Sequence, residues 1–413
     1  MMIVRMPLRA TLDRLSSALT VRRLRVHGLL LAACLWSIYA FDVSTPGLLD
    51  RNGLVKGTDF VHFYVLGSLA LEHRGSALYN TLLQSEIARE IVPGAQPLYY
   101  IALYGPQVSV FFAPFARFSY GTAFILWSLF NAIVYGVCCV AIWRVCPRFR
   151  DHGATVFILA IAYPAFFHLI AWGQTSAPAL LFFTLAYLAL RADREFLAGL
   201  AIGLLIYKPQ LGIAAAIVFL FSKHWKLVAG AVISGVVELS VGWLYYGTAV
   251  MREYWNVLRH FQQVLPNLEP RPYVVHCLRA FWAMLVPVPT LAALLYILSA
   301  AIVIGASVLI WRSRAPLALR YSALLIASVL VAPHLTIYDL VILVPTFLLL
   351  ADLALEESTP MSVPILLYLC YALPLIGPSS RYTHVQLSVM AFAALLYWIW
   401  SSAKLRSGYG TAA

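Results

Sequence analysis

Twelve apolar runs separated mostly by short polar breaks fill this chain, at 26–42, 121–143, 153–170, 175–190, 195–207, 210–222, 226–246, 291–311, 318–331, 338–351, 361–376 and 385–400. A bilayer core of about 30 Å takes roughly 20 residues of α-helix, and several of these runs are shorter. The pattern therefore predicts about 12 transmembrane helices, bounded by ten and thirteen. Lipid offers no partner to unpaired backbone groups, so the predicted class is an all-α polytopic membrane protein.

Composition excludes the alternatives. Of 413 residues 62% are hydrophobic and 11% charged, with a mean hydropathy of +0.83, whereas a water-soluble domain carries about twice that share of charge. A net charge of +12 could suggest a nucleic-acid partner. The placement of the basic residues argues otherwise. With the N-terminus inside, 18 of the 29 Lys and Arg fall on the segments 1–25, 144–152, 191–194, 223–226, 312–320 and 401–413, beside anionic headgroups. Both termini are expected in the cytoplasm, and no nucleic-acid partner is expected.

The predicted organisation is a basic cytoplasmic N-terminus at 1–25, one transmembrane domain at 26–400 and a cytoplasmic tail at 401–413. LAAC at Leu31–Cys34 matches a lipoprotein cleavage box, but the apolar run continues through LWSIYAF, so it reads as an uncleaved anchor. The cysteines Cys34, Cys138, Cys139, Cys146, Cys277 and Cys370 show no metal-site spacing and read as small apolar residues.

Two exterior segments are long, 43–120 and 247–290, so function is expected on the outer face. Within them FVHFYVLGSLALE (60–72) and MREYWNVLRHFQQVL (251–265) have helical spacing suited to the membrane interface, where a site can meet a lipid substrate.

Polar residues gather at the outward ends of the runs. Asp59, in KGTDFVHFY, precedes a helical pattern, so its carboxylate suits either an N-cap or chemistry. Trp172, Gly173 and Gln174 occupy one apolar turn, Tyr207, Lys208 and Pro209 a second, and His334, Tyr338 and Asp339 a third. An ammonium at the membrane costs several kcal/mol unless it meets an anion, which makes Lys208 a functional candidate with phosphate as its natural counterion; a snorkelling lysine is the plainer alternative. His62, His168, His276, His334 and His384 lack the spacing of a dedicated metal centre, so no metal and no cofactor are expected. Tyr64, Tyr99, Tyr100, Tyr104 and Trp172 offer faces for stacking on a sugar or an isoprenoid.

GTDFVHFY, GSALYN (Gly75–Asn80), YGPQVSVFFAPF (Tyr104–Phe115), AWGQTSAPALLF (Ala171–Phe182) and YKPQLGI (Tyr207–Ile213), in that order, resemble the glycosyltransferase 87 family. The resemblance implies the GT-C membrane fold and a polyprenol-phosphate-mannose-dependent transferase at a bacterial plasma membrane. Its expected partners are a polyprenyl-phosphate sugar, a lipid or glycan acceptor of the cell envelope, and membrane lipids. It makes Asp59 the catalytic base and carries Lys208 and His334 over as phosphate contacts. From their place at the outer face, His62, Tyr64, Tyr104, Trp172, Gln174 and Tyr338 are expected around the substrate. The chemistry agrees: transfer from a polyprenyl phosphate needs a base for the acceptor hydroxyl and a cation for the departing phosphate. Two alternatives stay open, another GT-C enzyme such as a ligase, polymerase or arabinosyltransferase, and a lipid-linked sugar transporter.

Overall fold

Each of the twelve apolar runs forms helix in the computed structural model, which describes residues 19–101, 103–260, 263, 271–356 and 362–408. The chain is an all-α polytopic membrane protein. Seven helices are long and apolar enough to cross a membrane: Val21–Val43, Tyr120–Trp143, Trp225–Tyr246, Pro289–Arg312, Ile337–Ala354, Ser362–Thr383 and Leu387–Lys404. Arg150–Ala162 and Pro164–Trp172, bent by 47° at Tyr163, make an eighth if they act as one span. Pro164 causes the bend: it cannot donate back to the preceding turn, and it holds Tyr163 in an extended conformation. The remaining expected spans, Ser176–Arg191, Glu195–Tyr207, Pro209–Phe221 and Leu317–Val331, are too short to pass on length alone. The parts of the expected N-terminus at 1–18, of the exterior run at 261–262 and 264–265, and of the tail at 409–413 lie outside the described residues.

The chain divides into two compact units, one comprising Met1–Leu35, Val137–Phe167 and Tyr273–Ala413, the other Trp36–Gly136 and His168–Pro272. In the second unit, helices Glu195–Gly203 and Trp225–Tyr246 pack backbone against backbone. A β-carbon on Gly199 would stand 2.0 Å from the Leu227 carbonyl oxygen, and one on Gly203 2.1 Å from that of Ala231. Small residues four apart on one face permit that approach, the usual means of joining helices in lipid.

An aromatic cluster forms this unit's other anchor. Trp127, fully buried, meets Phe112 at 4.8 Å, Phe130 at 5.1 Å and Phe115 at 5.5 Å between ring centres, with Phe60 at 6.4 Å. The helix Phe60–Leu71 departs from the expectation of a helix lying on the membrane surface: ten of its residues, from Phe60 to Ala70, are buried. It is apolar all round, and such a helix is enclosed by protein. Thr248–Arg259 is instead amphipathic, with Tyr254 buried and Arg252, Glu253 and Trp255 exposed.

In the first unit, Leu317–Val331 is buried at every position from Tyr321 to Val331. The turn after it is stitched to the segment at 273–277: Val275 bridges Thr336, the His276 N–H donates to the Leu335 carbonyl at 2.9 Å, and Arg279 donates to the Pro333 carbonyl.

Candidate functional site

The site in the second unit grows from three turns. Asp59 stands at the N-cap of Phe60–Leu71, but its side chain makes no cap hydrogen bond. Instead the Gln174 Nε2 donates to Asp59 Oδ2 at 2.8 Å, and the Asp59 backbone N–H donates to the Trp172 carbonyl at 3.0 Å. The carboxylate, half-buried, is held from across the turn rather than spent on its own helix.

Glycine makes the approach possible. Gly57 and Gly173 have φ of +73° and +71°, which favour glycine, and a β-carbon on Gly173 would fall 2.6 Å from Phe60 Cβ. The Trp172–Gln174 turn is pinned from the span Tyr120–Trp143, where Trp127 Nε1 donates to the Gly173 carbonyl at 2.9 Å and Asn131 Nδ2 to the Gln174 carbonyl at 3.0 Å. Residues four apart on a helix present to the same side.

Lys208 reaches the same turn from the third side. A tight turn at Leu204–Tyr207 ends at Lys208, and Pro209 starts the next helix, so the lysine sits at the break between two short helices. Its ammonium donates to Ser176 Oγ at 3.0 Å, and the Tyr207 hydroxyl donates to the Thr175 carbonyl at 2.6 Å. At 2% exposure Lys208 is not a snorkelling lysine, because snorkelling puts the charge in water. Gln174 and Ser176, two residues apart, thus tie a carboxylate and an ammonium to one turn.

Tyr100 adjoins Asp59, and His62 lies against Tyr100. The Tyr100 hydroxyl donates to the Thr58 carbonyl, and burial first, the Asp59 charge second, push its phenol well above the usual range. Its ring lies 5.1 Å from that of His62. His62 is buried, and burial pushes the imidazole down to about 4; the Gln84 side chain opposes this, close by but outside hydrogen-bond geometry.

Of the other candidates, Tyr104 packs edge-on against Phe63 at 5.1 Å and lies 6.2 Å from the His62 ring. Trp172 meets His168 edge-on at 5.1 Å. Tyr64 is buried and donates to the Phe118 carbonyl at 2.8 Å, an anchor for its helix. His334 and Tyr338 belong to the first unit, His334 before and Tyr338 between Thr336 and Asp339, whose side chains cap the helical turn Ile337–Leu343. Among the described residues no three His, Cys, Asp or Glu side chains form a group able to hold a metal ion.

The sequence reading left out Asn131, Thr175 and Ser176 as site residues. Asn131 carried a signal, being a lone amide inside an apolar run and fully buried in the structure.

Comparison with known proteins gives one match. The model of the family described as Glycosyltransferase family 87 covers residues 102–333, more than half of the chain. Tyr104, Trp172, Gln174 and Lys208 lie inside that stretch, whereas Asp59, His62, Tyr64, His334 and Tyr338 lie outside it. No curated protein and no solved structure matches the chain.

Proposed function

This chain belongs to glycosyltransferase family 87, and on that premise we propose that it transfers a sugar, mannose in this reading, from a polyprenyl phosphate to a lipid or glycan acceptor. It is a membrane glycosyltransferase; the donor, the acceptor, the GT-C fold, the exterior face and the bacterial plasma membrane are parts of the proposal. The single observation that carries it is the placement of Asp59 and Lys208 on either side of one turn, each held by a residue of WGQTS.

In this reading Asp59 takes the proton of the acceptor hydroxyl as that oxygen attacks the anomeric carbon. The bond from that carbon to the phosphate oxygen breaks, its electron pair stays with the phosphate, and the configuration inverts. A phosphodiester carries one negative charge and the departing monoester approaches two, so a buried ammonium contributes more in the transition state than in the ground state. Lys208 has that role. Gln174 holds Asp59 toward the acceptor, while Trp172, Tyr104 and His62 adjoin the substrates.

The test is to offer purified protein a panel of polyprenyl-phosphate sugars together with a membrane lipid extract. The expected result is a new glycolipid formed with one sugar, accompanied by release of polyprenyl phosphate. Absence of transfer from every donor by folded protein contradicts the proposal.

A further inference from the structure

The helix Trp225–Tyr246 carries one acidic side chain, Glu238, in its apolar stretch, which the transfer chemistry above does not use. A carboxylate within a span is a functional candidate by default. It shares a face with Ser234, Gly235 and Gly242, all buried, so it looks into the protein.

Opposite stands the YGPQ step. A β-carbon on Gly242 would fall 2.7 Å from both the Gln107 backbone nitrogen and Pro106 Cγ, which brings the two segments into contact one turn beyond Glu238. Gln107 Nε2 donates to Glu238 Oε1 at 3.0 Å. Gln107 is 5% exposed, and its Oε1 is buried without a donor among the described residues. Gly105 leaves room for this carboxamide, since a β-carbon there would stand 2.3 Å from Gln107 Oε1.

Aromatic faces adjoin the pair. Burial first and the Glu238 charge second push the Tyr254 phenol up to about 12. Tyr79 stacks on Tyr254 at 6.0 Å and donates through its hydroxyl to the Tyr104 carbonyl at 3.2 Å. The helix Gln107–Phe112 in turn packs on the helix that begins after Asp59, with Phe63 and Phe112 stacked at 5.0 Å.

A carboxylate and an unused amide oxygen are both acceptors, so the group that completes them must bring donors. A divalent metal would find only one charge among the described side chains of this pair. A hexose brings hydroxyl donors on its edges and a C–H face for the rings. We propose that Glu238 and Gln107, beside the Tyr79–Tyr254 ring pair, bind the hydroxyls of the sugar-bearing acceptor. This rests on the glycosyl-transfer reading above.

The test measures binding of octyl α-mannopyranoside, with octanol as the apolar control, to full-length protein in phosphatidylcholine nanodiscs by calorimetry. Glu238→Gln and Gln107→Ala are each expected to weaken glycoside binding about tenfold or more, the range for a hydrogen bond to a charged or buried group, while octanol binding and Lys223→Met stay at the wild-type level. Thermal unfolding reports whether each variant is folded. Wild-type affinity in a folded Glu238→Gln protein, no glycoside binding by the wild type, or loss of the fold in both variants overturns the proposal. If the wild type binds the glycoside through Glu238 yet transfers no sugar from any donor, the transfer reading fails and the subsite stands.

Discussion

Replacing Lys208 by methionine removes the ammonium and keeps most of the stem. At 2% exposure the side chain is enclosed, and its ammonium donates to Ser176 Oγ at 3.0 Å. A hydrogen bond involving a charged group contributes about 1.5–3 kcal/mol to stability, so the variant's unfolding midpoint falls modestly with no donor present. Truncating one partner of a buried charge pair costs about 2–5 kcal/mol, and the leaving phosphate gains charge, so kcat/KM for the polyprenyl-phosphate donor falls by roughly 30-fold to several thousand-fold, with kcat included in the loss. The assay combines initial rates in proteoliposomes with thermal unfolding measured with and without donor. The wild type's midpoint rises with donor because ligand binds only the folded state, and the variant loses that rise. Lys223→Met, at an exposed turn, leaves both quantities unchanged. A folded Lys208→Met protein that keeps the donor-induced rise and a kcat/KM within threefold of wild type refutes the phosphate role.

Acid pH should destabilise the fold through His62. Its folded pKa of about 4 lies below the ordinary 6.5, so the unfolded chain binds a proton that the folded one refuses; stability falls as pH drops from 6.5 toward 4, by about 3 kcal/mol at most, and unfolding of His62→Phe against wild type across that range should show a flatter dependence. Gly199→Leu should lower the unfolding midpoint sharply, because its β-carbon would meet the Leu227 carbonyl oxygen at 2.0 Å, whereas Gly305→Ala, with nothing within 4 Å, should leave it within error. Reporter tags before Met1 and after Ala413 should both read cytoplasmic and one near residue 267 exterior, as the basic residues predict; an exterior C-terminus overturns the assigned face.

The apolar runs were legible because helix is the way a single segment satisfies its own backbone in lipid, and run length alone located all twelve. Which short helices cross a membrane was not legible, since 13 residues at Pro209–Phe221 fit a buried helix as well as a tilted span. Asp59 and Lys208 stood out as charges in apolar surroundings. What joins them did not, because Ser176 and Asn131 act through hydrogen bonds to residues 32 and 43 positions away, and no local spacing encodes such contacts. Asp59 also sat where an N-cap belongs, and only the Gln174 amide at 2.8 Å distinguishes a carboxylate held across the turn from one that caps its helix. Glu238 was passed over for a related reason. Its partner Gln107 lies 131 positions away in a motif that reads as mostly apolar.

Turnover of Asp59→Asn in the donor assay tests the base role most directly. Asparagine keeps the size and an acceptor for Gln174 Nε2 but cannot take the acceptor's proton, and loss of a general base costs about 100-fold to 10,000-fold in rate. The Asp59→Asn protein is expected to fold, to retain the donor-induced rise in unfolding midpoint, and to turn over at about one-hundredth of the wild-type rate or less. Transfer at a near-normal rate by stably folded Asp59→Asn protein contradicts the base role.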